Sequence, residues 1–121
     1  MKTLKVILFS SALFIVFNSC QKIEACLEVN KTSVKVGEEI TFTSCSENAD
    51  AFSWFGVSGP SLTTVAGGTS CDDFWTVTFE ATGTAIISIK ADKIERGKKC
   101  SDSEYKVLKS DETTVTITVT E

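Results

Sequence analysis

The chain contains no histidine, one proline, one methionine and one tyrosine among its 121 residues. Lack of histidine removes the side chain that most often acts as a general base near neutral pH, and with it the commonest imidazole metal ligand. No carboxylate pair sits in a recognisable acid–base setting, and no nucleophile has a base beside it, so no enzyme is expected. An excess of cations is also missing: 12 Lys and Arg stand against 16 Asp and Glu, a formal net charge of −4. Nucleic acid is therefore excluded as a partner, because its phosphates demand clustered Lys and Arg. Beyond the first residues there is no helical stripe of useful length. The apolar stretch from Val6 to Phe17 covers only 12 residues, short of the roughly 20 that span a bilayer.

That stretch has another reading. Met1 to Lys5 is short and basic, Val6 to Phe17 is apolar apart from Ser10 and Ser11, and Asn18-Ser19-Cys20 follows. The layout fits a cleaved signal segment, residues 1–19. Ser19-Cys20 resembles the lipobox of bacterial lipoproteins, although Phe17 and Asn18 depart from its strictest form. The resemblance implies lipidation of Cys20, a membrane contact made through the acyl chains, and the outer membrane of a Gram-negative cell as the address. Several acyl chains on one cysteine anchor stably where one chain alone is marginal. The segment 20–25 then serves as a tether, and the polar run Gln21-Lys22-Ile23-Glu24 resembles an export signal to the cell surface, with the periplasmic face as the alternative. Cleavage takes Lys2 and Lys5 and no acid from the formal −4, leaving 102 residues at −6.

From residue 26 onward the hydropathy has period 2. Ile40 and Phe42, Phe52 and Trp54, Trp75, Val77 and Phe79, Ala85, Ile87 and Ile89, and Val115, Ile117 and Val119 each alternate with polar or small neighbours. Such alternation puts one face of a strand on a core and the other in water. β-branched and aromatic residues dominate, as strands prefer. Turn residues punctuate the runs: Gly37, Asn48, Gly59-Pro60, Gly67-Gly68 and Gly83. The expected fold over 26–121 is an immunoglobulin-like antiparallel β-sandwich of about seven strands. Strands are expected over 26–30, 33–36, 38–45, 51–56, 61–70 (poorly defined), 74–80, 84–92 and 112–120. The charged segment 93–111 is long for a loop; it either forms one or continues the flanking strands as a ribbon.

Five cysteines are an odd number in an oxidising compartment, and lipidation of Cys20 leaves four to pair. Successive connections of an antiparallel sandwich alternate between its two ends. Cys26 begins one strand, Cys45 ends another, and Cys71 and Cys100 lie in connections, so all four fall at one end. The expected bridges are Cys26–Cys45 and Cys71–Cys100. A zinc site is not expected, because no C-x-x-C knuckle is present.

The stretch Thr32-Ser33-Val34-Lys35-Val36-Gly37-Glu38-Glu39-Ile40-Thr41-Phe42-Thr43 resembles the opening of polycystic-kidney-disease-like (PKD) domains. Ser53-Trp54-Phe55-Gly56, Trp75 to Ala85 and Thr113 to Val119 resemble later strands of that family. The resemblance implies a non-catalytic sandwich over 26–121. Its Trp-Asp-Phe-Gly-Asp-Gly motif is Trp54-Phe55-Gly56-Val57-Ser58-Gly59 in this chain, without either carboxylate. The calcium that some members are thought to bind is therefore not expected, since Asp50, Asp72 and Asp73 form no dense acidic loop. No metal or cofactor is implied.

Binding candidates remain. Phe74 and Trp75 are adjacent, so one of them faces outward from a regular strand, and an outward Trp75 would suit a carbohydrate or protein ligand. Trp54 is expected in the core. Lys93, Arg96, Lys98 and Lys99 form a basic cluster on an acidic domain and are candidate contacts for a partner. The expected role is a non-catalytic, lipid-anchored envelope module for surface adhesion or for binding carbohydrate or protein. The alternative is a structural subunit or spacer of a larger outer-membrane complex.

Overall fold

The structure, a computed structural model, describes residues 22–121; the leader and Cys20 lie outside the described residues. Eight strands follow one another: β1 (Leu27–Val29), β2 (Ser33–Lys35), β3 (Ile40–Ser44), β4 (Ala51–Ser58), β5 (Leu62–Gly67), β6 (Phe74–Phe79), β7 (Gly83–Ile94) and β8 (Val107–Thr120). They build two four-stranded sheets, in the orders β1-β3-β6-β5 and β2-β8-β7-β4. Every pairing is antiparallel except that of β2 with β8, which is parallel. The chain leaves the first sheet after Val29 and joins the edge of the second at Ser33, where Thr118 donates its amide to the Thr32 carbonyl at 2.8 Å. This change of sheet puts the expected spans 26–30 and 33–36 in different sheets.

The period-2 pattern fills the space between the sheets. Ile40, Phe42, Trp75, Val77 and Phe79 from the first sheet meet Val34, Trp54, Ala85, Ile87, Ile89, Ile117 and Val119 from the second, all buried. Burying each of the larger apolar side chains stabilises by roughly 1.5–3 kcal/mol relative to leaving it exposed. The outer face of the first sheet is zipped by polar pairs instead: Thr41 and Thr76 lie opposite one another with their hydroxyls 2.8 Å apart.

Trp75 corrects one expectation. It is only 6 % exposed and belongs to the core, so its indole is not offered to a ligand. Its phase on β6 is that of Val77 and Phe79, and the half-buried Phe74 takes the outward phase with Thr76 and Thr78. The Trp75 indole N–H is satisfied inside the fold, donating to Thr64 Oγ1 at 2.9 Å.

Val57, Val65 and Leu108 are exposed large apolar residues, and each is the unpaired residue at a register shift, in the β4–β7, β5–β6 and β7–β8 ladders, where a bulge inserts one residue into one strand.

Segment 93–111 is mostly ribbon. β7 and β8 stay paired from Gly83↔Val119 to Ile94↔Val107, and only residues 95–106 connect them. Segment 22–25 is docked rather than loose. Ile23 is buried, Glu24 bridges to Glu47, the Asn48 side-chain amide donates to the Lys22 carbonyl at 2.9 Å, and the Ala25 amide donates to Asp111 Oδ2 at 2.8 Å. Packing onto the sandwich therefore already includes residues 22–25, ahead of the expected start at Cys26.

Candidate binding surface

One end of the sandwich gathers most of the chemistry in the chain. Strand direction puts segment 22–26, the end of β3, the start of β4, the β5–β6 connection and the β7–β8 hairpin together there. Both disulfides lie at this end. Cys26–Cys45 and Cys71–Cys100 have Cα separations of 4.8 and 5.2 Å, inside the range that a bridge requires. The first reinforces a backbone bond already present, from the Cys45 amide to the Cys26 carbonyl at 3.0 Å. The second joins the hairpin to the β5–β6 connection, where the Ser70 hydroxyl also donates to the Cys100 carbonyl at 2.8 Å. That connection is held to β4 in turn: Phe52 donates its amide to Ser70 O at 2.9 Å, and the Trp54 indole N–H donates to Asp72 O at 3.0 Å.

Acidic side chains at this end are engaged by backbone donors. Asp50 Oδ2 accepts from the Ile94 amide at 3.1 Å and lies 3.6 Å from the Lys93 ammonium. Glu95 Oε2 accepts from the Lys106 amide, and Asp102 Oδ2 from the Lys99 amide, each at 2.8 Å. Asp72 Oδ2 accepts from the amide and hydroxyl of Thr69 at 3.1 and 2.7 Å. These carboxylates shape turns. Asp50 and Asp72 thus have protein partners, and Asp73 contributes a backbone carbonyl to the Ser44 amide at 2.7 Å.

Of the sequence candidates, Lys93 is half-buried and paired with Asp50, while Arg96, Lys98 and Lys99 are exposed on the hairpin. Among the described residues, no carboxylate lies within ion-pair distance of Arg96, Lys98 or Lys99. The hairpin thus brings the basic candidates together and separates them from Trp75, which sits inside the sandwich. Asp50, Lys93, Ile94, Arg96, Lys98 and Leu108 line a cleft of about 430 Å³ beside the ribbon. Leu108 lies at this cleft and Val107 beside it at the start of β8; the sequence marks both as apolar contacts available to a ribbon, not as binding residues.

Other concavities have simpler contents. A trough of about 600 Å³ runs over Leu27, Val29, Thr41 and Thr43 on the outer side of the first sheet. A cleft of about 320 Å³ at the opposite end is lined by Val57, Ser58, Gly59, Pro60 and Leu62. Cys26, Glu28 and Cys45 bring three potential metal-binding atoms within 4.8 Å of one another. Both sulfurs are already joined in a disulfide, which leaves Glu28 as a lone carboxylate.

Asp92 is the one buried acid without full satisfaction among the described residues. It is 4 % exposed and its Oδ1 has no hydrogen-bond partner. Burial pushes its carboxyl pKa upward, and the Lys90 charge opposes that shift. Among the described residues, no helix is long and apolar enough to cross a membrane.

No protein-family model matches the chain, and no curated protein matches it. A solved structure that does match is the crystal structure of domains 4 and 5 of the S-layer protein SbsC. The identity is 15% and the TM-score 0.45, with 96% of this chain and 57% of that one covered. The chain therefore spans little more than half the length of that structure.

Proposed function

We propose that this chain is a lipid-anchored, non-catalytic module of the bacterial cell envelope. In this reading Cys20 carries the lipid, and residues 22–121 form an immunoglobulin-like, PKD-like sandwich that binds a protein or carbohydrate at the outer membrane. The carrying observation is the combination of a basic-then-apolar leader ending in Ser19-Cys20 with two disulfides among the remaining four cysteines. Bridges persist in oxidising compartments outside the cytoplasm, which agrees with export. Once four cysteines are paired, Cys20 is the one left for acylation.

Strand order supports the immunoglobulin-like assignment. One sheet contains the first, third, sixth and fifth strands, and the other places the fourth, seventh and eighth side by side. This order is compatible with a constant-type sandwich to which short β2 is added at the edge. Loops at the two ends of the sandwich support binding, because loops on rigid scaffolds are where recognition concentrates.

The test is the intact mass of the mature protein from its native host, before and after reduction. The expected result is a chain starting at an acylated Cys20 that gains four hydrogens on reduction of its two bridges. A soluble mature chain without lipid overturns the anchor. Glycan arrays and pull-downs then assay binding; failure of both to retain any ligand, with the anchor intact, removes the binding role.

A further inference from the structure

We propose that the β7–β8 hairpin seats on the anionic headgroups of the lipid layer that holds the acyl chains of Cys20, so that the domain stands with this end against the membrane. The proposal rests on the lipid-anchor reading above. Chain length leaves little freedom. Lys22 is fixed to the domain through Asn48, and Glu24 through Glu47. Two residues of fully extended chain, the distance in sequence from Lys22 to Cys20, reach roughly 7 Å. An anchor on so short a lead brings the end bearing Lys22 to the headgroups, and the hairpin belongs to that same end.

Basic charge at this end is concentrated on the hairpin, whereas its other segments carry Glu24, Glu47, Asp50, Asp72 and Asp73 beside Lys22. Residues 93–109 carry six of the ten Lys and Arg found after Cys20 but only three acids, a net +3; the rest of 22–121 nets −9. Glu95 and Asp102 within the hairpin accept backbone amides and Glu104 is exposed, while Arg96, Lys98 and Lys99 are directed to solvent. Lys93 and Lys109 stand directly opposite each other on the ribbon. Asp50 already balances Lys93, which leaves Lys109 as the cation of this pair for a headgroup phosphate to meet.

The apolar residues fit as well. Val107 and Leu108 are 41% and 54% exposed between Lys106 and Lys109. Apolar side chains flanked by cations suit the headgroup–acyl boundary, where lysine stems lie along apolar surface and their ammonium groups stay wet. Each basic residue near an anionic surface favours contact by roughly fivefold, over a range of about 10 Å at 0.1 M salt.

The experiment uses the mature lipidated chain in vesicles of phosphatidylcholine with phosphatidylglycerol, pulse-labelled at lysine amines and mapped by peptide mass. Lys98, Lys99, Lys106 and Lys109 are expected to label roughly fivefold or more slowly than in detergent. Lys35, on β2 where it pairs with Thr120 at the opposite end, labels at the same rate in both. Protection weakens in pure phosphatidylcholine and at high salt. If the chain floats with the vesicles and its hairpin lysines label as fast as in detergent, the anchor stands and the seating is wrong; the hairpin then faces away from lipid, toward a protein or glycan. If the chain carries no acyl group and does not float, the anchor reading fails and the seating falls with it.

Discussion

Trp54 and Trp75 meet across the sandwich, with ring centroids 6.4 Å apart and planes tilted by 50°. One comes from each sheet, so the contact joins the two layers. Each indole N–H also has a fixed acceptor, Asp72 O for Trp54 and Thr64 Oγ1 for Trp75. Replacing either with Ala is expected to cost roughly 3–5 kcal/mol. Because the pair share a contact, the double variant costs less than the sum of the two by roughly 0.5–1.5 kcal/mol. Urea unfolding followed by far-ultraviolet circular dichroism, with disulfides intact, measures both numbers. Strict additivity would mean that the rings do not interact.

Two glycines with nearly the same backbone angle separate strain from crowding. Gly37 has φ +83° with open space where a Cβ would go, and Gly68 has φ +84° with Trp75 Cδ1 at 2.4 Å from that position. Gly37→Ala therefore carries only the left-handed penalty, about 1–2 kcal/mol. Gly68→Ala adds overpacking against a core indole, a further 1–3 kcal/mol or so. Equal midpoints for the two variants in denaturant would contradict the packing of Trp75 under this turn.

The disulfides are expected to differ in what they hold rather than in how much they stabilise. Closing loops of 19 and 29 residues restricts the unfolded chain by similar amounts, about 3–4 kcal/mol each on the chain-entropy account. Cys26–Cys45 duplicates the β1–β3 ladder, whereas Cys71–Cys100 ties residues 95–106 to the β5–β6 connection. Replacing Cys71 and Cys100 together with Ser should accelerate hydrogen exchange through the hairpin while β3 and β6 stay protected. Replacing Cys26 and Cys45 should leave the hairpin pattern unchanged.

Alternation made the sandwich core legible. Ile40, Phe42, Val77, Phe79, Ile87, Ile89, Ile117 and Val119 all occupy the face that their phase assigns. The same phase already placed Trp75 with Val77 and Phe79, so its burial was readable once the whole strand was weighed rather than the Phe74–Trp75 pair alone. Bulges were not readable, because one inserted residue has no compositional mark. The ribbon beyond Asp92 was one of two alternatives, and the pattern did not choose between it and a loop. Cross-strand pairs such as Lys93↔Lys109 carry no amphipathic signal. The docking of segment 22–25 depends on one apolar side chain, Ile23, and on backbone bonds that leave no pattern. At the candidate surface Lys93, Arg96, Lys98 and Lys99 were legible as a cluster; that Lys93 pairs with Asp50 while, among the described residues, no carboxylate reaches the other three required the fold.

Two acids are expected to act on stability with opposite pH dependence. Asp92 has its pKa raised by burial, so the folded state holds its proton more tightly than the unfolded state. Stability from this group is fully present below the unfolded pKa, near 3.9, and is lost as pH rises through the folded value. Glu38 has its pKa lowered, first by the hydrogen bond from Lys31 and then by the Lys35 amide. Its contribution is present above the unfolded pKa and is lost as pH falls through the folded one. Asp92→Asn should therefore raise the denaturation midpoint at pH 7, with the gain closing as the solution is acidified. Glu38→Gln should lower the midpoint at pH 7, and that difference should vanish at low pH. Glu38 is exposed, so its effect should also shrink in high salt, whereas that of Asp92 should persist. A midpoint for Asp92→Asn below that of the parent at every pH would mean that the carboxylate is satisfied in solution and that its burial is not the source of the penalty.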